Sequence, residues 1–173
     1  MVHVTSRLFI CMVLALSWLP ACSREKGYET MVDDPDLLVK HGVTITTFNY
    51  TDHAINDVVV NGVWTGRVHV YSEGGGAGGL LVPRDRNKQY RVKVEWEVGS
   101  HYDLKTNRYQ RDKPQLVHHE AIIPIKFPYP KSIHFLAVHF YPDGHVEAEF
   151  TDDFAERRVP APEDFDLGAG SRE

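Results

Sequence analysis

The sequence predicts an all-β fold: a two-sheet sandwich of about seven to eight mostly antiparallel strands, with a small β-barrel as the alternative arrangement. Three observations predict it. Strict apolar–polar alternation runs through YRVKVEWEV, which puts Tyr90, Val92, Val94, Trp96 and Val98 on one face and Arg91, Lys93, Glu95 and Glu97 on the other. The runs VTITTFNY (43–50) and AINDVVVNG (54–62) are rich in β-branched residues and close on turn formers. Turn signals recur between apolar runs, at Asn61-Gly62 and at Pro142-Asp143-Gly144. Only DDPDLLVKHG carries even a short helical pattern.

The chain opens with MVHVTSRLFICMVLALSWLPAC. Arg7 precedes an apolar run from Leu8 to Leu19, 12 residues long. As a helix this run spans ~18 Å at ~1.5 Å per residue, against a bilayer core of ~30 Å. It is too short for a permanent span and has the layout of an export signal. Leu19-Pro20-Ala21-Cys22 resembles a bacterial lipobox, in which cleavage between Ala21 and Cys22 leaves the cysteine as the lipidated first residue. An ordinary secretory signal cleaved after Ala21, or an uncleaved anchor, is the alternative. The other cysteine, Cys11, lies within the signal. The body beyond residue 22 holds no cysteine, which excludes thiol catalysis, thiolate metal sites and disulfide staples there. The expected organisation is therefore a signal peptide at 1–21, a lipidated Cys22 with a polar tether over 22–41, a β domain at 42–154 and an acidic, loosely ordered tail at 155–173. The tether reaches roughly 20–25 Å as a coil. Ser23 after the cysteine favours the periplasmic face of the outer membrane.

Charge excludes one class of partner. The whole chain carries a formal charge of −5, and without residues 1–21 the balance is 18 basic against 24 acidic residues. No basic stripe is present, so nucleic acid is not an expected ligand. Within the β domain, Asn61-Gly62 joins two apolar strands as a hairpin, and FYPDGHVEAE forms a second one. In that second hairpin Val146, Ala148 and Phe150 are expected to face inward while His145, Glu147 and Glu149 face water. Trp64, just after the first turn, is expected as a core anchor, with an exposed recognition aromatic as the alternative.

EGGGAGGLLVP needs its own account. A phosphate loop requires Gly-Lys-Ser/Thr leading into a helix, and a dinucleotide loop also requires a following helix; here the run leads into LLVP. What remains is a wide glycine loop, or a glycine-rich edge where another backbone or a bulky side chain comes close. An aromatic such as Trp64 or Tyr71 is the expected neighbour. In the alternative, Gly74, Gly75, Gly76, Gly78, Gly79 and Trp64 form a partner-contacting surface.

Chemistry-bearing constellations are sparse. His118, His119 and Glu120 are consecutive, so a strand sends neighbours to opposite faces. His145 and Glu147 share a face, with His139 placed to pair across the hairpin. No spacing supplies four zinc ligands, and no Gly-x-Ser-x-Gly elbow occurs. The expectation is a protein with no cofactor, no metal and no catalytic residues, acting by binding.

GVTITTFNYTDHAINDVVVNGVWTG, the glycine run ending in LLVP, YRVKVEWEV, AIIPI and FYPDGHVEAE together resemble a proteobacterial lipoprotein family catalogued as domain of unknown function 3304. The likeness runs from about Gly42 to Phe150, and its most specific parts are the NYTD…VNG block and the glycine run. That family's strand after the glycines often carries paired cysteines. Leu80 and Leu81 stand there in this chain, so no thiol role carries over. The resemblance implies a periplasmic immunity lipoprotein that binds a type VI secretion lipase effector. An envelope lipoprotein that binds glycan or serves as a structural adaptor is the alternative.

Overall fold

The computed structural model describes residues 42–81, 87–110 and 116–166. The signal, Ala21, Cys22, the tether and the short helical pattern up to residue 41 lie outside the described residues, as do residues 167–173. In chain order the strands are β1 (Gly42–Asn49), β2 (His53–Val60), β3 (Val63–Val68), β4 (Glu73–Leu81), β5 (Arg91–Asp103), β6 (Arg108–Tyr109), β7 (Val117–Lys126), β8 (Phe135–Phe140) and β9 (Val146–Thr151). No helix occurs among the described residues.

The all-β class is the observed one, and of the two arrangements the barrel is adopted. The strands form one sheet in the order β3-β2-β5-β7-β9-β8-β1-β4, with β6 paired to β5. Its two ends, β3 and β4, follow one another in sequence and lie against each other, so the sheet curls until it nearly closes. Most pairs are antiparallel; β1–β8 and β7–β9 are parallel. Closure has a physical reason, since a curled sheet leaves fewer unpaired edges than two stacked sheets.

The barrel interior collects the alternating residues of every long strand. Val43 and Ile45 of β1, Val58 and Val60 of β2, Val92 and Val94 of β5, Ile125 of β7, and Leu136 and Val138 of β8 are buried in one cluster. Tyr90 and Trp96 complete the inward face predicted for YRVKVEWEV. Both hairpins form as expected. Asn61 (φ 47°) and Gly62 (φ 80°) make the left-handed pair that joins β2 to β3, and Gly144 (φ 86°) closes the β8–β9 turn.

Each residue of Asn49-Tyr50-Thr51-Asp52 anchors a different contact. Asn49 is fully buried, and its amide donates to the carbonyls of His53 (2.8 Å) and His69 (3.0 Å) while its Oδ1 accepts from the Thr51 N–H (2.8 Å). A buried polar group so satisfied ties the β1–β2 turn to the β3–β4 connection. The Tyr50 hydroxyl meets His139 Nδ1 at 2.8 Å and accepts from the Arg158 N–H at 3.0 Å.

That last bond belongs to a stretch whose behaviour differs from the expectation of a loose tail. Ala155 is buried against Phe48, Tyr50 and Ala137 on the outer side of β1 and β8. Arg158 donates to the Tyr141 hydroxyl at 3.0 Å and pairs with Glu147 and, at 2.5 Å, Glu149 of β9. The outward face of β9 is thereby partly covered, where the alternation pointed Glu147 and Glu149 to water. Arg157 donates to the Tyr71 carbonyl at 2.8 Å, and the Phe165 ring meets Tyr71 and Tyr102 at 5.1 and 5.5 Å. Isolated anchors of this kind produce no periodic pattern, which is why alternation did not reveal them.

Candidate functional site: the wall formed by β3 and β4

The glycine run is a strand, not a wide loop. β4 pairs antiparallel with β1, from Gly42↔Leu81 to Phe48↔Glu73, with register shifts that leave Gly75 and Gly79 without a partner residue on β1. Its other side meets the backbone of β3. A Cβ on Gly75 would lie 2.3 Å from the Thr65 carbonyl oxygen, and one on Gly74 would lie 3.0 Å from that of Arg67. Gly75 also has φ +60°. The two ends of the sheet approach here because no side chain intervenes. The expected aromatic neighbour is thus corrected: what comes close is main chain, not Trp64 or Tyr71. Farther along, Gly76, Gly78 and Gly79 have open space where a side chain would be.

Trp64 of β3 is also corrected, from core anchor to surface. It is 64% exposed. β2 explains this placement. Its pairing with both neighbours shifts around Asn56–Val59, and Asp57 there has φ 45°. A bulge of this type re-aims a side chain. The Asp57 carboxylate accepts from the Trp64 indole N–H at 3.4 Å, and the far edge of the indole lies over Gly66. The ring is thus exposed yet tethered. Beside it opens a groove of about 370 Å³ bordered by Asp57, Arg67, Glu97 and Leu116. Leu116 and Val117 are themselves exposed large apolar residues. An exposed tryptophan beside an arginine and aliphatic groups has the composition of an interface centre.

The candidates from sequence lie on strands that touch, Trp64 on β3 and Gly74, Gly75, Gly76, Gly78 and Gly79 on β4, but the groove beside Trp64 is bordered from β2, β3 and β5 and by none of these glycines. Ala21 and Cys22 lie outside the described residues. Asp57, Arg67 and Leu116 were not singled out from sequence. Asn56-Asp57, two polar residues interrupting an apolar β-branched run, is the signal that marks the bulge.

The histidines disperse. His119 points inward and stacks on Trp96 at 5.3 Å. His118 and Glu120 share the outer face with Glu95, and their ligand atoms lie within 4.8 Å of one another. Lys93 occupies that cluster, 2.9 Å from both Glu95 and Glu120, and hydrogen bonds to the two carboxylates raise the ammonium above its ordinary value. An ammonium at the centre opposes a divalent ion there. His139 sits opposite Glu147 in the β8–β9 pairing and is fully buried rather than solvated, its ring stacked on Phe48 at 4.8 Å. Burial, reinforced by Arg158, lowers its pKa to about 4.

The fold and the wall define an all-β, barrel-like protein presenting an exposed aromatic surface. The family model described as Protein of unknown function (DUF3304) matches residues 48–148, and the chain belongs to that family. No curated protein and no solved structure matches the chain.

Proposed function

We propose that this protein acts by binding another protein through the β3–β4 wall, as a lipid-anchored immunity lipoprotein that neutralises a type VI secretion lipase effector in the periplasm. The observation that carries the binding reading is Trp64, largely exposed yet tethered by Asp57 beside Arg67 and Leu116. A tethered aromatic loses little conformational entropy on association, so more of its buried area becomes affinity. The partner class is supported by the resemblance, and the anchor by Leu19-Pro20-Ala21-Cys22. The proposed action is occupancy, with no chemical turnover.

The test is co-expression in the periplasm with type VI lipase effectors of the same genome. Cells survive with the wild-type chain, and Trp64→Ala weakens the purified complex at least tenfold, corresponding to ~1.4 kcal/mol or more. Cell death at the same rate with and without the wild-type chain overturns the immunity reading. A second reading, glycan binding, has one observation in its favour: the Trp64 ring is flanked by Asn56, Asp57 and Glu97, groups that can hydrogen-bond sugar hydroxyls. A pull-down that recovers polysaccharide and no protein favours it.

A further inference from the structure

At one end of the barrel the β1–β2 turn, β5 and the β8–β9 turn surround a pocket of about 210 Å³. Its walls are apolar and aromatic, from Ile55, Trp96, Phe140 and Val146. Its rim is polar, with Asp52 and His53 on one side and Tyr141 and His145 on the other. Among the described residues no lysine or arginine lines it, and Asp52 is the one carboxylate in the lining.

Asp52 is held in position from two sides. His53 Nδ1 lies 2.7 Å from one carboxylate oxygen and His101 Nε2 3.1 Å from the other. A carboxylate only accepts, so both ring nitrogens donate to it, and about two of its four lone-pair sites remain. The side chain is 45% exposed, so those sites are reachable. In the β8–β9 turn Asp143, which is not part of the lining, binds the His145 ring and backbone N–H, and the backbone bond, ahead of the ring, holds its carboxyl below the ordinary range. Arg158 donates to the hydroxyl of the rim residue Tyr141 and is bonded to Glu147 and Glu149. The one carboxylate of the lining is therefore held in place beside an aromatic floor.

We propose that this pocket binds an organic cation on a short apolar stem, an alkylguanidinium or alkylammonium, with its stem against Trp96 and Phe140 and its head on Asp52. Burying the stem removes apolar area from water. Aromatic rings attract a cation, and a fixed carboxylate completes the match. An anion would meet the Asp52 carboxylate, and a neutral group would offer that carboxylate no charge-assisted bond. The same chemistry has two sources: a lysine or arginine side chain of a protein, or a free amine. The site lies apart from the β3–β4 wall and does not depend on the immunity reading.

The experiment is a titration of the ¹⁵N-labelled full-length chain in uncharged detergent micelles. The probes are N-acetyl-arginine methylamide, butylammonium, 1-pentanol and butanoate. The readout is the Trp96 indole N–H resonance, assigned by its loss in Trp96→Phe. Both cations are expected to shift it saturably, and both to bind at least tenfold more tightly than 1-pentanol and butanoate. With N-acetyl-lysine methylamide added as a third cation, either residue derivative binding more tightly than butylammonium marks a protein side chain as the source, and butylammonium binding more tightly than both marks a free amine. Asp52→Asn is expected to weaken both cations at least tenfold and leave 1-pentanol unchanged. Val146→Phe fills the mouth, keeps the carboxylate and abolishes all binding. Equal affinity for butylammonium and 1-pentanol overturns the proposal, as does unchanged cation affinity in a folded Asp52→Asn. Should Asp52→Asn fail to fold, the pentanol comparison and Val146→Phe decide between the same two outcomes.

Discussion

Mild acid should destabilise this protein through one residue, His139. Its ring is fully buried, stacked on Phe48, bonded at Nδ1 to the Tyr50 hydroxyl and left without a hydrogen-bond partner at Nε2, 3.6 Å from Glu149. Burial, with Arg158 nearby, lowers its pKa from 6.5 to about 4. Below pH ~6.5 the unfolded chain takes up a proton at this ring, while the folded chain does not until pH ~4, so stability falls as pH falls through that window. The full gap corresponds to about 3 kcal/mol, of which roughly 2.5 kcal/mol is lost by pH 4.5. The assay is urea unfolding of the wild type and His139→Gln at pH 7.5, 6.5, 5.5 and 4.5. Taking the difference between the two curves removes the contribution of the exposed histidines. The variant should be less stable at pH 7.5 by whatever the lost packing costs, and the gap should close or reverse toward pH 4.5. Two curves that stay parallel, within about 0.5 kcal/mol across the range, would refute the account of a neutral buried imidazole.

Three further outcomes are expected. Gly75→Ala forces a side chain into the Thr65 carbonyl at a left-handed φ and should cost about 2 kcal/mol or more, while Gly78→Ala, with open space and no positive φ, should stay within about 0.5 kcal/mol; equal effects in thermal melts would remove the argument for a backbone seam. Arg158→Ala leaves the part-buried Glu149 with only Lys126, at 3.9 Å, as a cation and should cost about 1–3 kcal/mol, with faster amide exchange around Ala155; protection unchanged there would show that the covering stretch is held by other contacts. Cys22→Ala should leave the circular dichroism of the domain intact and release the chain from membranes, and retention in the membrane fraction would contradict lipidation.

The strands were legible because their signals are local. The alternation of YRVKVEWEV, the Asn61-Gly62 turn and the Pro142-Asp143-Gly144 turn each depend on a few neighbouring residues, and each appears where the pattern put it. Trp64 was not legible. Its exposure depends on a bulge at Asp57 and on Gly66 beneath the indole, and alternation cannot register either influence. The covering by residues 155–166 escaped for a related reason: Ala155, Arg157, Arg158 and Phe165 act singly, each against a residue distant in sequence. The rim pocket is the extreme case, since Asp52, His101 and His145 come from three separate turns and strands.

By itself, the sequence determined the all-β class, the two hairpins, the inward faces of the long strands and a glycine run unsuited to phosphate, because backbone preference and two-residue periodicity act over short range. Tertiary structure alone decided between sandwich and barrel, put Trp64 at the surface, and gathered Asp52 and histidines around an aromatic pocket. Those outcomes depend on which strands become neighbours and how far the sheet curls, and such long-range pairing is decided by the packing of the whole chain.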